Sequence, residues 1–140
     1  MRKKKSERKK IKDRLEKLVK TIVKIRDNYT CQMCGKRVEG VNCHGSHVIP
    51  VSADGRLAFD PENLKVLCYH CHLQVWHLNV VDSGLWFEKT FPERWESLKA
   101  KHLANKQFNT IKMWEYDVME QDLKEALSEI QNKQAEDESY

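Results

Sequence analysis

Two Cys-x-x-Cys pairs, Cys31-Gln-Met-Cys34 and Cys68-Tyr-His-Cys71, enclose Cys43-His44-Gly45-Ser46-His47 and are followed by His72 and His77. Four thiolates in two such turns suit one tetrahedral Zn²⁺, and the two turns together are a far more specific signal than either alone. Zinc accounts for Cys31, Cys34, Cys68 and Cys71 but leaves the histidines unexplained. Hydrolysis of a phosphodiester needs a base to activate water and a cation to stabilise the crowded phosphorus and the leaving 3′ oxygen. Imidazole suits the first task because its unperturbed pKa lies near neutrality. His47, Asn63 and His72 are the residues to weigh for that chemistry, against the blander reading of polar side chains beside a zinc. Cys43 is left over and reads as a small buried residue.

The elements that must position these groups can be sketched from periodicity. Ile11, Leu15, Leu18, Ile22 and Ile25 recur at alternating spacings of four and three, which marks one face of a helix ending near Arg26. Residues 1–10 are too polar to pack and are expected to fray. Gly35 closes the first knuckle turn. Residues 41–51 read as a strand or hairpin arm carrying His44 and His47, and Asp60-Pro61 as a capped turn before Leu64, Val66 and Leu67. Residues 71–76 begin a helix, residues 79–84 form a connection, and Phe91-Pro92 starts another helix with Trp95 and Leu98 facing inward. Trp76, Trp86 and Trp95 read as core rather than as platforms for bases. A long amphipathic helix follows over about 109–132. The expected divisions are a basic N-terminal helix or arm over 1–27, a zinc-stapled core with its following helix over 28–104, a C-terminal helix over 105–132 and a disordered acidic tail over 133–140.

Length and charge bound the rest. A chain of 140 residues suits one domain with extensions, whose small central part needs a staple. No apolar run approaches the roughly 20 residues that span a bilayer, and the lysine-rich start lacks the apolar stretch of a secretory signal. The expected compartment is intracellular and cytoplasmic, a host cell's cytoplasm if the gene is a phage's. Residues 1–20 carry eleven Lys or Arg against three acids, whereas residues 115–140 carry nine acids and two lysines. The basic start, including Lys9, Lys10, Arg14 and Lys17, suits a phosphate backbone, and Lys36, Arg37, Arg56 and Lys65 flank the motif as further phosphate contacts. The oppositely charged long helices can pair within the chain or across a homodimer.

Taken together, Cys31-x-x-Cys34, His47-Val-Ile-Pro50, Asn63-Leu64 and Leu67-Cys68-x-x-Cys71-His72 resemble the signature of the HNH, or ββα-metal, endonucleases in their four-cysteine version. The likeness covers about a third of the chain. The Gly45-Ser46-His47 spelling and the basic start are also similar to the phage NinG/Rap recombination nucleases, which act on branched DNA. The resemblance implies a small α+β fold, a ββα-metal core with structural zinc flanked by long helices. It implies His47 as general base, Asn63 as either an organiser of the base-bearing loop or a metal contact, and His72 as ligand of a catalytic Mg²⁺ or Mn²⁺. Many members carry Asp or His directly before the base as a further ligand, where this chain has Ser46. His44 and His77 are the substitutes to consider.

The expected activity is metal-dependent hydrolysis of duplex or branched DNA, with recombination, genome processing or restriction as settings and no membrane partner. Two other readings stand beside it. One is a zinc module that binds nucleic acid without cutting it, which Ser46 keeps open. The other is a scaffold or assembly protein built on the amphipathic helices.

Overall fold

The computed structural model describes residues 5–108 and 110–139. Helix α1 spans Glu7–Arg26 and begins under a cap, with Ser6 Oγ accepting from Lys9 N at 3.2 Å. It starts earlier than the fraying expected up to residue 10. Its buried stripe is Ile11, Leu15, Val19, Ile22 and Val23, so Val19 and Val23 take the inward places expected of Leu18 and Ile25. At its end the buried Asp27 ties helix to sheet, its Oδ2 accepting from Val66 N at 2.9 Å. Arg26 holds that carboxylate and also donates to the carbonyls of Pro61 and Leu64. Asn28 and Tyr29 then take left-handed backbone, φ 53° and 49°, which reverses the chain into the first knuckle. Gly35, φ 76°, closes it.

Strands β1 (His44–His47) and β2 (Leu64–Leu67) pair antiparallel, His44 opposite Leu67 and His47 opposite Leu64. Every residue of β2 is buried, because α1 covers one face of this two-stranded sheet and Trp76 and Phe87 lie over Lys65 on the other. Asp60 caps the turn Pro61–Asn63, accepting from Glu62 N at 2.9 Å with Pro61 at its first position. After β2 comes a π-helical turn, His70–Trp76, where an ordinary helix was expected. Sheet and turn make a ββα-type core within a small α+β fold.

Helix α2 spans Val80–Thr90, so residues 80–84 are helical and not a connection. Helix α3 spans Pro92–Asn105, with Leu98 buried. Helix α4 spans Met113–Glu138. Residues 133–138, expected to be a disordered tail, continue that helix, although their side chains are exposed. It packs along α1 within the chain: Arg8 Nη1 donates to Ile111 O at 2.8 Å and Arg14 Nε to Glu120 at 2.8 Å. Both partner numbers rise together, so the two helices run parallel. Among the described residues no helix is long and apolar enough to cross a membrane.

Candidate active site

The four thiols come first because they fix everything else. The sulfurs of Cys31, Cys34, Cys68 and Cys71 all lie within 4.8 Å of one another. A tetrahedral ion about 2.3 Å from each would separate them by about 3.8 Å, and Cys34 Sγ stands 3.9 Å from Cys68 Sγ. Donor set and spacing fit a structural zinc. Burial works against ionising Cys31, but the backbone N–H groups of Cys34, Cys68 and Met33 outweigh it and bring that thiol down to about 7. Cys71 is held well above its ordinary value by burial and by the neighbouring thiols. Such a set is stable as thiolates only around a cation. Cys43 is buried apart from the four, as a small apolar residue would be.

His47 ends β1, and its Nε2 donates to Ala58 O at 2.9 Å. That bond fixes the tautomer and leaves the lone pair on Nδ1. Burial, opposed by the Ala58 bond and reinforced by Lys20 and Lys65, holds its pKa below the ordinary value. The carbonyl that grips it is itself positioned. Asn63 is fully buried, and its Oδ1 accepts from Ile49 N at 2.8 Å while its Nδ2 donates to Ile49 O and Leu57 O, both at 3.0 Å. Asn63 thus ties together the loop that ends in Ala58, the first of the two roles considered for it, and it does not line the cleft described below, where a metal contact would be needed.

His72 lies in the π-helical turn. Residues five apart on an α-helix point about 140° away from each other. Here His77 N donates to His72 O at 3.1 Å, the wider turn of a π-helix, and the two rings come to one side with Nε2 3.0 Å from Nε2. His44 stands on the other side of His72, Nδ1 to Nδ1 at 2.9 Å, with its own Nε2 donating to Val41 O at 2.9 Å. Burial first, then His77 and His44, bring His72 down to about 4, so the ring is neutral and available to a metal. His47, His72 and His77 line one cleft of about 540 Å³, together with Lys20, Trp76 and Trp95. His44 does not line it.

Ser46 and His47 project to opposite faces of β1, as neighbours in a strand must. Ser46 is buried, and its Oγ accepts from Lys65 Nζ at 3.2 Å. Lys65 is also corrected: far from being a phosphate contact, it is wholly buried, with its ammonium 3.3 Å from the centre of the Trp76 ring and its pKa pushed well down by burial. Arg56 is no free phosphate contact either, because its guanidinium pairs with Glu115 of α4 and lies over Phe108. Arg14 is engaged with Glu120, Lys9 with Asp13 and Lys10 with Glu7. Lys17, Lys36 and Arg37 are exposed. Lys20 went unread as a site residue; its stem crosses Gly45, where an added Cβ would come within 3.1 Å of its Cγ, and it lines the cleft beside His47.

No curated protein and no solved structure matches the chain. Residues 31–76 match the family model described as HNH endonuclease, and with the four-thiol cluster and the ββα-type core inside those bounds, that segment of the chain is an HNH endonuclease domain.

Proposed function

We propose that this chain is a metal-dependent DNA endonuclease in which His47 is the general base. The observation that carries the reading is the shared cleft: a neutral imidazole held through Nε2, facing the same space as two further imidazoles five residues apart. In this reading His47 takes the proton of the attacking water on Nδ1, and Asn63 keeps the Ala58 carbonyl in place while it does so. His72 and His77 would hold a divalent ion through Nε2, and His44, behind them, would orient His72 from its anchor on Val41. Bound there, the ion would supply positive charge opposite the leaving 3′ oxygen. Protein ligands that are all imidazole suit Mn²⁺ better than Mg²⁺, which prefers carboxylate and water oxygen. By likeness to the family the products carry 5′ phosphate and 3′ hydroxyl ends. Lys17, Lys36 and Arg37 would meet the DNA backbone, with Lys20, paired with Glu16 across one turn of α1, exchanging that partner for the phosphate at the cleft.

One observation favours a second reading, a zinc module that binds DNA without cutting it. Ser46 is turned into the core, so the cleft has two imidazoles where a fuller site would add another ligand. Nicking of supercoiled plasmid in Mn²⁺ by the wild type and His47→Ala separates the two. The nuclease reading expects nicking to fall about 10²–10⁴-fold in the variant, the usual contribution of a general base, with DNA binding kept. Equal cleavage by both proteins would remove His47 from the mechanism.

A further inference from the structure

Two clefts meet at His47, and only one of them has been given a task. The second runs between α1 and the loop that carries Ala58, encloses about 250 Å³, and shares His47, Lys20 and Val51 with the first. Its floor is apolar, formed by Val19, Phe59, Leu64 and Ile111, and its rim on α1 carries Lys9, Lys12 and Lys20. The rim is not purely basic, since Lys9 pairs with Asp13 and Lys20 with Glu16. Tyr116 of α4 completes the wall. That residue is only 4% exposed, but its hydroxyl, which makes no hydrogen bond to the described residues, is not itself buried and reaches solvent. On the wall of the groove, that hydroxyl can exchange its water for whatever enters.

We propose that this groove is a nucleobase subsite, taking one unstacked base of the DNA strand whose phosphate lies between His47 and His72. The inference rests on the nuclease reading of the first cleft and adds a substrate preference to it. The volume falls just short of the roughly 300–1,000 Å³ of pockets that hold whole drug-sized ligands, which suits a single ring system. An apolar floor edged by a hydroxyl, an imidazole and a rim of mixed charge matches a base, which has two apolar faces and a hydrogen-bonding rim. Because the clefts join at His47, a base in one and its neighbouring phosphate in the other belong to the same stretch of strand, and the lysines on α1 lie where that strand's backbone would leave. Extracting a base costs least where it is already unpaired. The protein therefore prefers DNA with an unpaired nucleotide beside the bound phosphate over a continuous duplex.

The test uses full-length zinc-loaded protein carrying His47→Ala, which leaves the strand intact, and oligonucleotides with 2-aminopurine scanned through an unpaired site. Fluorescence of one position is expected to rise severalfold on binding as that base leaves the stack. Ile111→Trp, which fills the groove from a half-buried position just before α4, should return the signal to that of free DNA and bring the affinities for unpaired and duplex DNA, about tenfold apart beforehand, close to equality. Tyr116→Phe removes only the hydroxyl and should keep the signal while reducing discrimination among the four bases. A signal untouched by Ile111→Trp, or equal affinities before the substitution, would overturn the subsite. If wild-type protein cuts DNA but no position brightens, the subsite falls alone; if a position brightens and the wild type cuts nothing, the nuclease reading falls and base capture stands.

Discussion

An imidazole works as a base when one nitrogen is held, the other is free and the ring is neutral at the working pH, and His47 meets each condition through a different neighbour. Ala58 holds Nε2, and burial keeps the pKa under 6.5. The acid limb of the cleavage profile is therefore expected to have its midpoint below 6.5, and Lys20→Met, by removing one of the charges that lower it, should move the midpoint upward; single-turnover rates against pH and imidazole NMR read both. The sign for stability follows from the same shift. Between the lowered folded value and 6.5 the unfolded chain binds a proton that the folded chain refuses, so this contribution shrinks as pH falls through that window and is fully present above it. Asn63→Ala should strand the Ile49 amide and the Ile49 and Leu57 carbonyls, costing roughly 2–4 kcal/mol in urea unfolding and loosening the grip on His47. His47, Asn63 and His72 stand out in the sequence by type and spacing, and the structure brings His47 and His72 to one cleft while Asn63 lies buried outside it. Lys65 does not stand out: in Leu64-Lys65-Val66-Leu67 a charge reads as a solvent face, and only a sheet covered on both sides explains its burial.

At the scale of elements, the sequence marks where chain reverses better than how tightly it winds. Gly35, the Asp60-Pro61 cap and the two knuckles stand where their residue types place them. The π-helical turn carries no such mark, because His-Cys-His-Leu-Gln-Val-Trp fits an ordinary helix equally well. Its width is what lets residues 72 and 77 share a side. Residues four apart on an α-helix are neighbours, so a π-turn with a spacing of five and an α-turn with a spacing of four should present the same two imidazoles. Deleting the exposed Gln74 is accordingly expected to regularise the turn and leave Mn²⁺ affinity, followed by electron paramagnetic resonance, within about threefold, while His77→Ala should weaken it tenfold or more. A deletion as damaging as the alanine would show that the wide turn does something other than align the rings. Helix α2 was missed for a related reason: its apolar residues Val80, Val81 and Leu85 lie outward, so no inward stripe announced it.

Across the whole molecule, the charge imbalance between the two ends of the sequence becomes a contrast between parallel neighbours, α1 and α4. Part of it is spent on the fold, since Arg14 meets Glu120 and Arg56 meets Glu115. What remains free on α1 and the first knuckle, Lys12, Lys17, Lys36 and Arg37, is exposed and basic, whereas the outer part of α4 is exposed and acidic. DNA should approach from the α1 and knuckle side. Deleting α1 would not test this cleanly, because Ile11, Leu15 and Val19 belong to the core, and loss of binding would follow from loss of fold. Neutralising exposed charges in pairs does test it. Each phosphate contact contributes a slope of about −0.9 to the dependence of log K on log salt, so Lys12→Gln with Lys17→Gln, and separately Lys36→Gln with Arg37→Gln, should each flatten the slope by about 1.8. An effect from the knuckle pair alone would confine DNA to the HNH segment and leave α1 with a purely structural task. No effect from either pair would favour the scaffold reading, in which the basic surface meets something other than a phosphate backbone.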